Sequence, residues 1–233
     1  DIQLTTNNDT YIRNLTWSND SKSILYTDRK NRAVMVDVES KTKRTILTNP
    51  AGEIPLPKFS PDNKWITYTK TEANDMRVVY VYSFEQNKEY AVTERWYDSG
   101  QPTFSTDGKY LFFTSSRDFN PIYSSVEWNF AYSQMDCIYF VTLAADTPSP
   151  FLDSDSHTAE AAKSNEETPK TDKKDDQKAD KSAEVAVTKI DTEGISNRII
   201  RVPLGTGRYM GLACDGKTLY YNGAGGAHAY NLA

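Results

Sequence analysis

Hydrophobic and polar positions along this chain alternate in short runs separated by turn residues, and one pattern returns four times. Trp17-Ser18-Asn19-Asp20-Ser21-Lys22 leads into Ile24-Leu25-Tyr26-Thr27. Phe59-Ser60-Pro61-Asp62-Asn63-Lys64 leads into Trp65-Ile66-Thr67-Tyr68-Thr69. Phe104-Ser105-Thr106-Asp107-Gly108-Lys109 leads into Tyr110-Leu111-Phe112-Phe113-Thr114, and Leu212-Ala213-Cys214-Asp215-Gly216-Lys217 into Thr218-Leu219-Tyr220-Tyr221. In each copy an apolar residue closes a strand. Asp then accepts bonds from nearby backbone amides, Gly or Asn tolerates a positive φ, and β-branched and aromatic residues open the next strand. The pattern predicts four hairpins.

A second hairpin follows the first two copies. Ala33–Val38 and Thr45–Thr48 flank the turn Glu39-Ser40-Lys41-Thr42, and Val78–Tyr82 and Tyr90–Thr93 flank Glu85-Gln86-Asn87-Lys88. One repeat is therefore four strands, A to D. The aspartates at 20, 62, 107 and 215 stand 42, 45 and 108 residues apart. Four-stranded units at a period in the low forties are the signature of β-propeller blades. The long third interval contains two insertions. Residues 116–136 precede strand C at Cys137–Leu143, and a second insertion precedes strand D at Arg198–Val202.

The predicted fold is all-β, a single propeller segment over 1–233 with blades at about 13–48, 55–93, 100–203 and 207–233. Ile2-Gln3-Leu4-Thr5 matches the D-strand endings Ile46-Leu47-Thr48 and Ala91-Val92-Thr93, so 1–5 reads as a strand of a preceding blade. Ala227–Leu232 reads as a final strand C. Either the first strand completes the last blade in a closed four-bladed ring, or the chain is an arc of a larger six- or seven-bladed ring. The arc is the better fit, since four blades is the low end of the known range.

The two insertions differ in kind. Asp153–Glu184 has no Phe, Tyr or Trp and no aliphatic residue larger than Ala. Such a stretch buries too little surface to offset its ordering entropy and is expected to be a disordered, charged surface loop. The earlier insertion, with Phe119-Asn120-Pro121-Ile122-Tyr123 and Val126-Glu127-Trp128-Asn129-Phe130-Ala131-Tyr132, must pack its rings against something. A plug on the neighbouring blade is the structural reading. The functional reading is a rim that touches a partner domain or a peptide, with Trp128, Phe130 and Tyr132 as the contact residues.

Composition narrows the function. Of 233 residues 12% are aromatic, 15 of them Tyr, which suits half-buried sheet faces. A net charge of −5 argues against a nucleic-acid binder. No apolar run reaches the roughly 18–20 residues that span a bilayer. Asp1 opens a strand-like stretch rather than a basic-then-apolar leader, although a leader could have been removed before this numbering begins. Cys137 and Cys214 lie in strand-like runs without CxxC spacing and read as small buried hydrophobes. The only histidines are His157, in the charged loop, and His228, in the last strand after Gly223-Ala224-Gly225-Gly226. Neither has the company a hydrolytic triad needs. There is no Gly-x-Ser-x-Gly elbow and no Walker loop, and Gly205-Thr206-Gly207-Arg208 reads as a turn between blades. One aspartate per turn is a turn residue, not a calcium cage. No catalytic, metal or cofactor-binding residue is assigned.

The repeats at 59–69 and 104–114 resemble the WD-like repeats of TolB and tricorn propellers. Phe119–Leu143, Pro148-Ser149-Pro150-Phe151 and Ile190–Ile199 are similar to segments of tricorn-type serine peptidases. The resemblance implies a large protein with two propellers, a PDZ domain and a C-terminal catalytic core that carries the serine nucleophile. It implies oligomers that degrade peptides, with propellers that filter or channel them, and the insertion pattern is more like the second propeller. No family catalytic residue maps onto this chain. The expected role is thus a non-catalytic propeller portion of a peptidase, partnered by peptides, by the remaining domains and by further copies, in the cytoplasm or alternatively the periplasm. The alternative role is a stand-alone TolB-like protein-interaction module.

Overall fold

A computed structural model describes residues 3–6, 9–118, 135–151 and 186–232, together with the backbone of 122–123 and 130–131. The chain forms consecutive antiparallel sheets. Strands β1 (Ile12–Trp17), β2 (Ser23–Asp28), β3 (Arg32–Asp37) and β4 (Lys43–Thr48) make the first sheet in chain order. The second is β5 (Lys58–Phe59), β6 (Trp65–Thr71), β7 (Arg77–Ser83) and β8 (Lys88–Ala91). In the third, β9 (Ser99–Phe104) and β10 (Tyr110–Ser115) are followed by the small ribbon β11 (Ile122–Tyr123) and β12 (Phe130–Ala131). Strands β13 (Cys137–Thr142) and β14 (Ile199–Arg201) then complete that sheet. The fourth comprises β15 (Met210–Cys214), β16 (Thr218–Gly223) and β17 (Gly226–Asn231). This is the expected all-β blade architecture, and the sheets do not close into a ring.

The A–B turns show why the repeat works. Ser18, Ser60 and Ser105 each donate a 2.6 Å hydrogen bond to the aspartate two residues on. The same hydroxyls accept the amides of Ser23, Trp65 and Tyr110 at 2.9–3.0 Å. Ser21, Asn63 and Gly108 hold φ near +60° at the matching position. The fourth copy is built differently. Cys214 faces Leu219, whereas Phe104 faces Leu111, so this hairpin is two residues tighter. Asp215 here accepts from Lys217 and Thr218 at 2.9 and 2.7 Å with no serine behind it. The shared Asp-Gly-Lys letters conceal this change of turn.

Two other expectations differ. Strand β5 is only two residues long, because Pro55 and Pro57 just before it have no N–H to give a ladder. Residues 3–6 form no strand. Leu4 instead packs on the outer face of the first sheet, against Tyr26, Val34 and Val36. The charged insertion 153–184 lies outside the described residues.

The core lies between the sheets. Successive residues of one strand serve opposite interfaces. Ile66, Tyr68, Val78, Tyr80 and Tyr82 pack on Leu25, Ala33 and Leu47 of the first sheet. Trp65, Val79 and Val81 turn the other way, onto Leu111, Phe113, Tyr139 and Val141 of the third. There Tyr110, Phe112, Ile138 and Phe140 face Leu212, Cys214 and Leu219 of the fourth. Sheets buried on both faces need apolar residues at every strand position, which is why β7, β10 and β13 read as continuous apolar runs.

Candidate functional site: the root of the aromatic insertion

Antiparallel four-stranded blades sort their connections. The A–B and C–D turns end on one face of the molecule, and the B–C turns and D–A connections on the other. The second face carries the aromatic insertion predicted as a contact rim. Trp128 and Tyr132 lie outside the described residues. Phe130 is placed in β12 by its backbone, so the structure does not locate these side chains.

The root of that insertion is held by charged and aromatic side chains. The Arg117 guanidinium lies between the rings of Tyr97 and Tyr139, 5.3 and 5.1 Å from their centroids. Its Nε reaches Ser115 Oγ at 3.4 Å, and its Nη2 is 3.9 Å from Glu94. Asp118 pairs with Arg201 at 2.5 Å and accepts a 3.5 Å contact from Cys137 Sγ. Ser116 Oγ donates to Asp136 at 2.5 Å, tying the two ends of the insertion together. The neighbouring connection is clamped as well. Arg77 donates to Asp98 through its backbone N–H and its guanidinium, and Asp98 O accepts from Ser116 N at 3.0 Å.

Burial shapes the electrostatics. Desolvation raises the phenol of Tyr139, and the charge of Asp118 pushes the same way. Desolvation also pushes the Cys137 and Cys214 thiols up to about 11. Both cysteines are buried and free. They are inert protonated thiols at neutral pH, not nucleophiles. Asp98 is held low: Arg77 bonding to the carboxylate outweighs its desolvation.

Beside this root stands Trp96, 84% exposed, with Tyr97 next to it. Pattern reading passed over both, although two adjacent large rings in the polar loop Glu94–Asp98 were a legible signal. His228 is exposed on β17, stacked on Tyr221 at 5.3 Å, with Nε2 3.0 Å from Ala224 O. That arrangement pins a turn and offers no nucleophile to a base. Among the described residues, no cluster of three or more His, Cys, Asp or Glu could hold a metal.

Consecutive antiparallel sheets of three or four strands, with apolar cores between them, define a propeller-blade protein. Its family is specific: the tricorn protease second beta propeller domain matches residues 1–230, and the chain belongs to that family. Tricorn protease homolog 1 of Streptomyces coelicolor is 28% identical over 193 residues, 83% of this chain and 17% of that protein. The chain thus spans about a sixth of that relative's length. The crystal structure of the tricorn protease superposes with a TM-score of 0.72 at 18% identity, over 93% of this chain and 19% of that one. A chain of the nidogen/laminin complex aligns with a TM-score of 0.53 at 10% identity, over 95% of this chain and 59% of that one. At such identities the superpositions establish the fold only.

Proposed function

We propose that this chain is a non-catalytic propeller portion of a tricorn-like serine peptidase, which filters or channels peptide substrates toward a catalytic domain outside it. The match of the tricorn second-propeller family across residues 1–230 carries the reading. The first strands of the third and fourth sheets, β9 and β15, lie side by side as inner strands, with Ser105 bridged to Cys214. In β15, Leu212 and Cys214 pack toward the third sheet, while Gly211 and Ala213 are exposed on the opposite face, so bulk can be added at Ala213 without entering that core. The same reading makes the remaining domains and further copies its partners, and carries a cytoplasmic location with it, the periplasm being the alternative.

The test is Ala213→Trp in the intact protein. A substrate that must pass the inner strands should lose kcat/KM by roughly tenfold when long, the factor that about 1.4 kcal/mol represents, and little when it is a dipeptide-sized reporter. Equal loss for both lengths, or loss for neither, would count against channelling through this region.

A further inference from the structure

We infer that the cleft between the β14–β15 connection and the β16–β17 turn is a carboxylate-binding subsite for peptides; this rests on the peptide reading above. The cleft encloses about 310 Å³ and is lined by Thr206, Arg208, Tyr209, Met210, Asn222 and Ala224, with two glycines between them. That volume lies in the range of small-ligand sites.

The polar lining is made of donors. The side chains of Thr206, Arg208 and Asn222 take no hydrogen bond or ion pair among the described residues. Among the described residues, no Asp or Glu lines the cleft. The remaining lining is apolar, with Met210 about half exposed and the Tyr209 ring against it. One guanidinium flanked by a neutral amide and a hydroxyl suits a monoanion that a planar fork can grip with two bonds. A phosphate dianion would call for more positive charge than one arginine. An apolar wall beside the charge suits an amino-acid residue that carries the carboxylate.

The walls are held in advance. Gly207 N donates to Asp136 O at 2.9 Å, fixing the connection to the root of the aromatic insertion. Tyr209 OH donates to Gly205 O at 2.6 Å. Gln101, on the neighbouring inner strand β9, clasps the backbone behind the cleft. Its Nε2 donates to Tyr209 O at 2.8 Å and its Oε1 accepts from Gly211 N at 3.2 Å. Gln101 does this from φ 53°, a left-handed conformation unusual for a residue inside a strand. Gly211 sits at φ +64°, where a Cβ would come within 2.8 Å of the Asn222 amide nitrogen. On the far wall, His228 stacks on Tyr221 and meets Ala224 O at 3.0 Å. Tyr221 in turn sets its edge against Tyr209 at 5.4 Å. The backbone behind the cleft is thus fixed by paired clasps, while Arg208 and Asn222 face solvent and are free to meet a ligand.

The experiment is an amide-shift titration of the full ¹⁵N-labelled chain with N-acetyl-leucine, with N-acetyl-leucinamide, and with sulfate. N-acetyl-leucine should move the Gly207 and Gly223 amides and the Asn222 side-chain NH₂ saturably, and the amide should not. Arg208→Gln should weaken the response roughly tenfold or more, and Arg208→Lys should restore part of it. Arg208 is exposed, so the variant spectra should otherwise match the wild type. An equal response to acid and amide, a sulfate response as strong as the acid's, or an unchanged affinity in Arg208→Gln each overturns the inference. Two peptides separate the sources of the carboxylate. One has a free C-terminus and no acidic residue, and the other has an amidated C-terminus and one internal Glu. Whichever moves the three signals names the source, and silence from both overturns the site. Peptide binding that ignores Arg208 would sink this subsite and leave channelling intact. A response to N-acetyl-leucine without length-dependent loss in Ala213→Trp would do the reverse.

Discussion

The third sheet and the first share the same Ser-x-Asp turn between their first two strands, yet they end in different environments. In the third, every residue of β10 and β13 is buried. In the first, β2 is buried over its last four residues, while β1 leaves Ile12, Leu15 and Trp17 exposed. Their A–B turns use the same Ser-x-Asp clasp, with hydroxyl–carboxylate bonds of 2.6 Å in both. The hairpin is therefore a local product. Burial is set by whether a second sheet lies on each face, and the third sheet has neighbours on both. Stability in this molecule should be concentrated at interfaces between sheets rather than within any one of them.

The sharpest way to break that comparison is to cut a large apolar side chain from each sheet. Phe112→Ala removes a fully buried side chain between the third and fourth sheets and should cost about 3–5 kcal/mol in urea unfolding. Leu15→Ala, on the exposed strand of the first sheet, should stay within about 0.5 kcal/mol. Comparable losses at the two sites would refute the contrast.

Contacts of the A–B turns with the segment that returns from the charged insertion should come next. Gly108 holds φ +69°, and a Cβ there would sit 2.8 Å from Thr188 Oγ1 on that segment, within the same blade. Gly108→Ala should cost about 1–3 kcal/mol, from the left-handed backbone and the displaced Thr188 together. Asp62 bonds its own turn through Lys64 N and also accepts from Thr188 N at 3.0 Å, so Asp62→Ala should cost about 1–2 kcal/mol. Asp20 serves only its own turn at 3.1 Å to Lys22 N and 2.6 Å to Ser18, and Asp20→Ala should cost less, about 1 kcal/mol. If Asp20→Ala proves as costly as Asp62→Ala, the contact across blades adds nothing.

The cysteines give the smallest effect. Their folded pKa values lie near 11, above the ordinary thiol value of 9.0, so the folded state holds protons that the unfolded chain releases. Stability should therefore be intact below about pH 9 and should decline as the pH rises toward 11. The decline should shrink in Cys137→Ala. Labelling by a thiol reagent at pH 8 should be slow and should speed up with urea in step with unfolding. Fast labelling of the folded protein would show that these sites open locally.

What the sequence by itself determined was the repeat: four Asp-centred turns, the hairpins they join and the blade period. Those features rest on neighbours in the chain, in three of the turns Ser with Asp two residues on and a positive φ one residue later, so they can be read from letters. The apolar runs at β7, β10 and β13 were legible as strands, but that both of their faces are buried was not. The tertiary structure alone decided the rest. The fourth turn is two residues tighter although its Asp-Gly-Lys matches, because strand register depends on partners across the ladder. The predicted contact residues Trp128, Phe130 and Tyr132 were legible as an aromatic cluster, but what lies at their root was not. Arg117 finds Tyr97 from the loop before β9 and Tyr139 from within β13, and Arg201 reaches Asp118 across the sheet. The cleft at Arg208 was invisible for the same reason. Gly205–Arg208 looked like a plain turn, and only the fold brings Gln101 and Asn222, 121 residues apart in the chain, to its back and side.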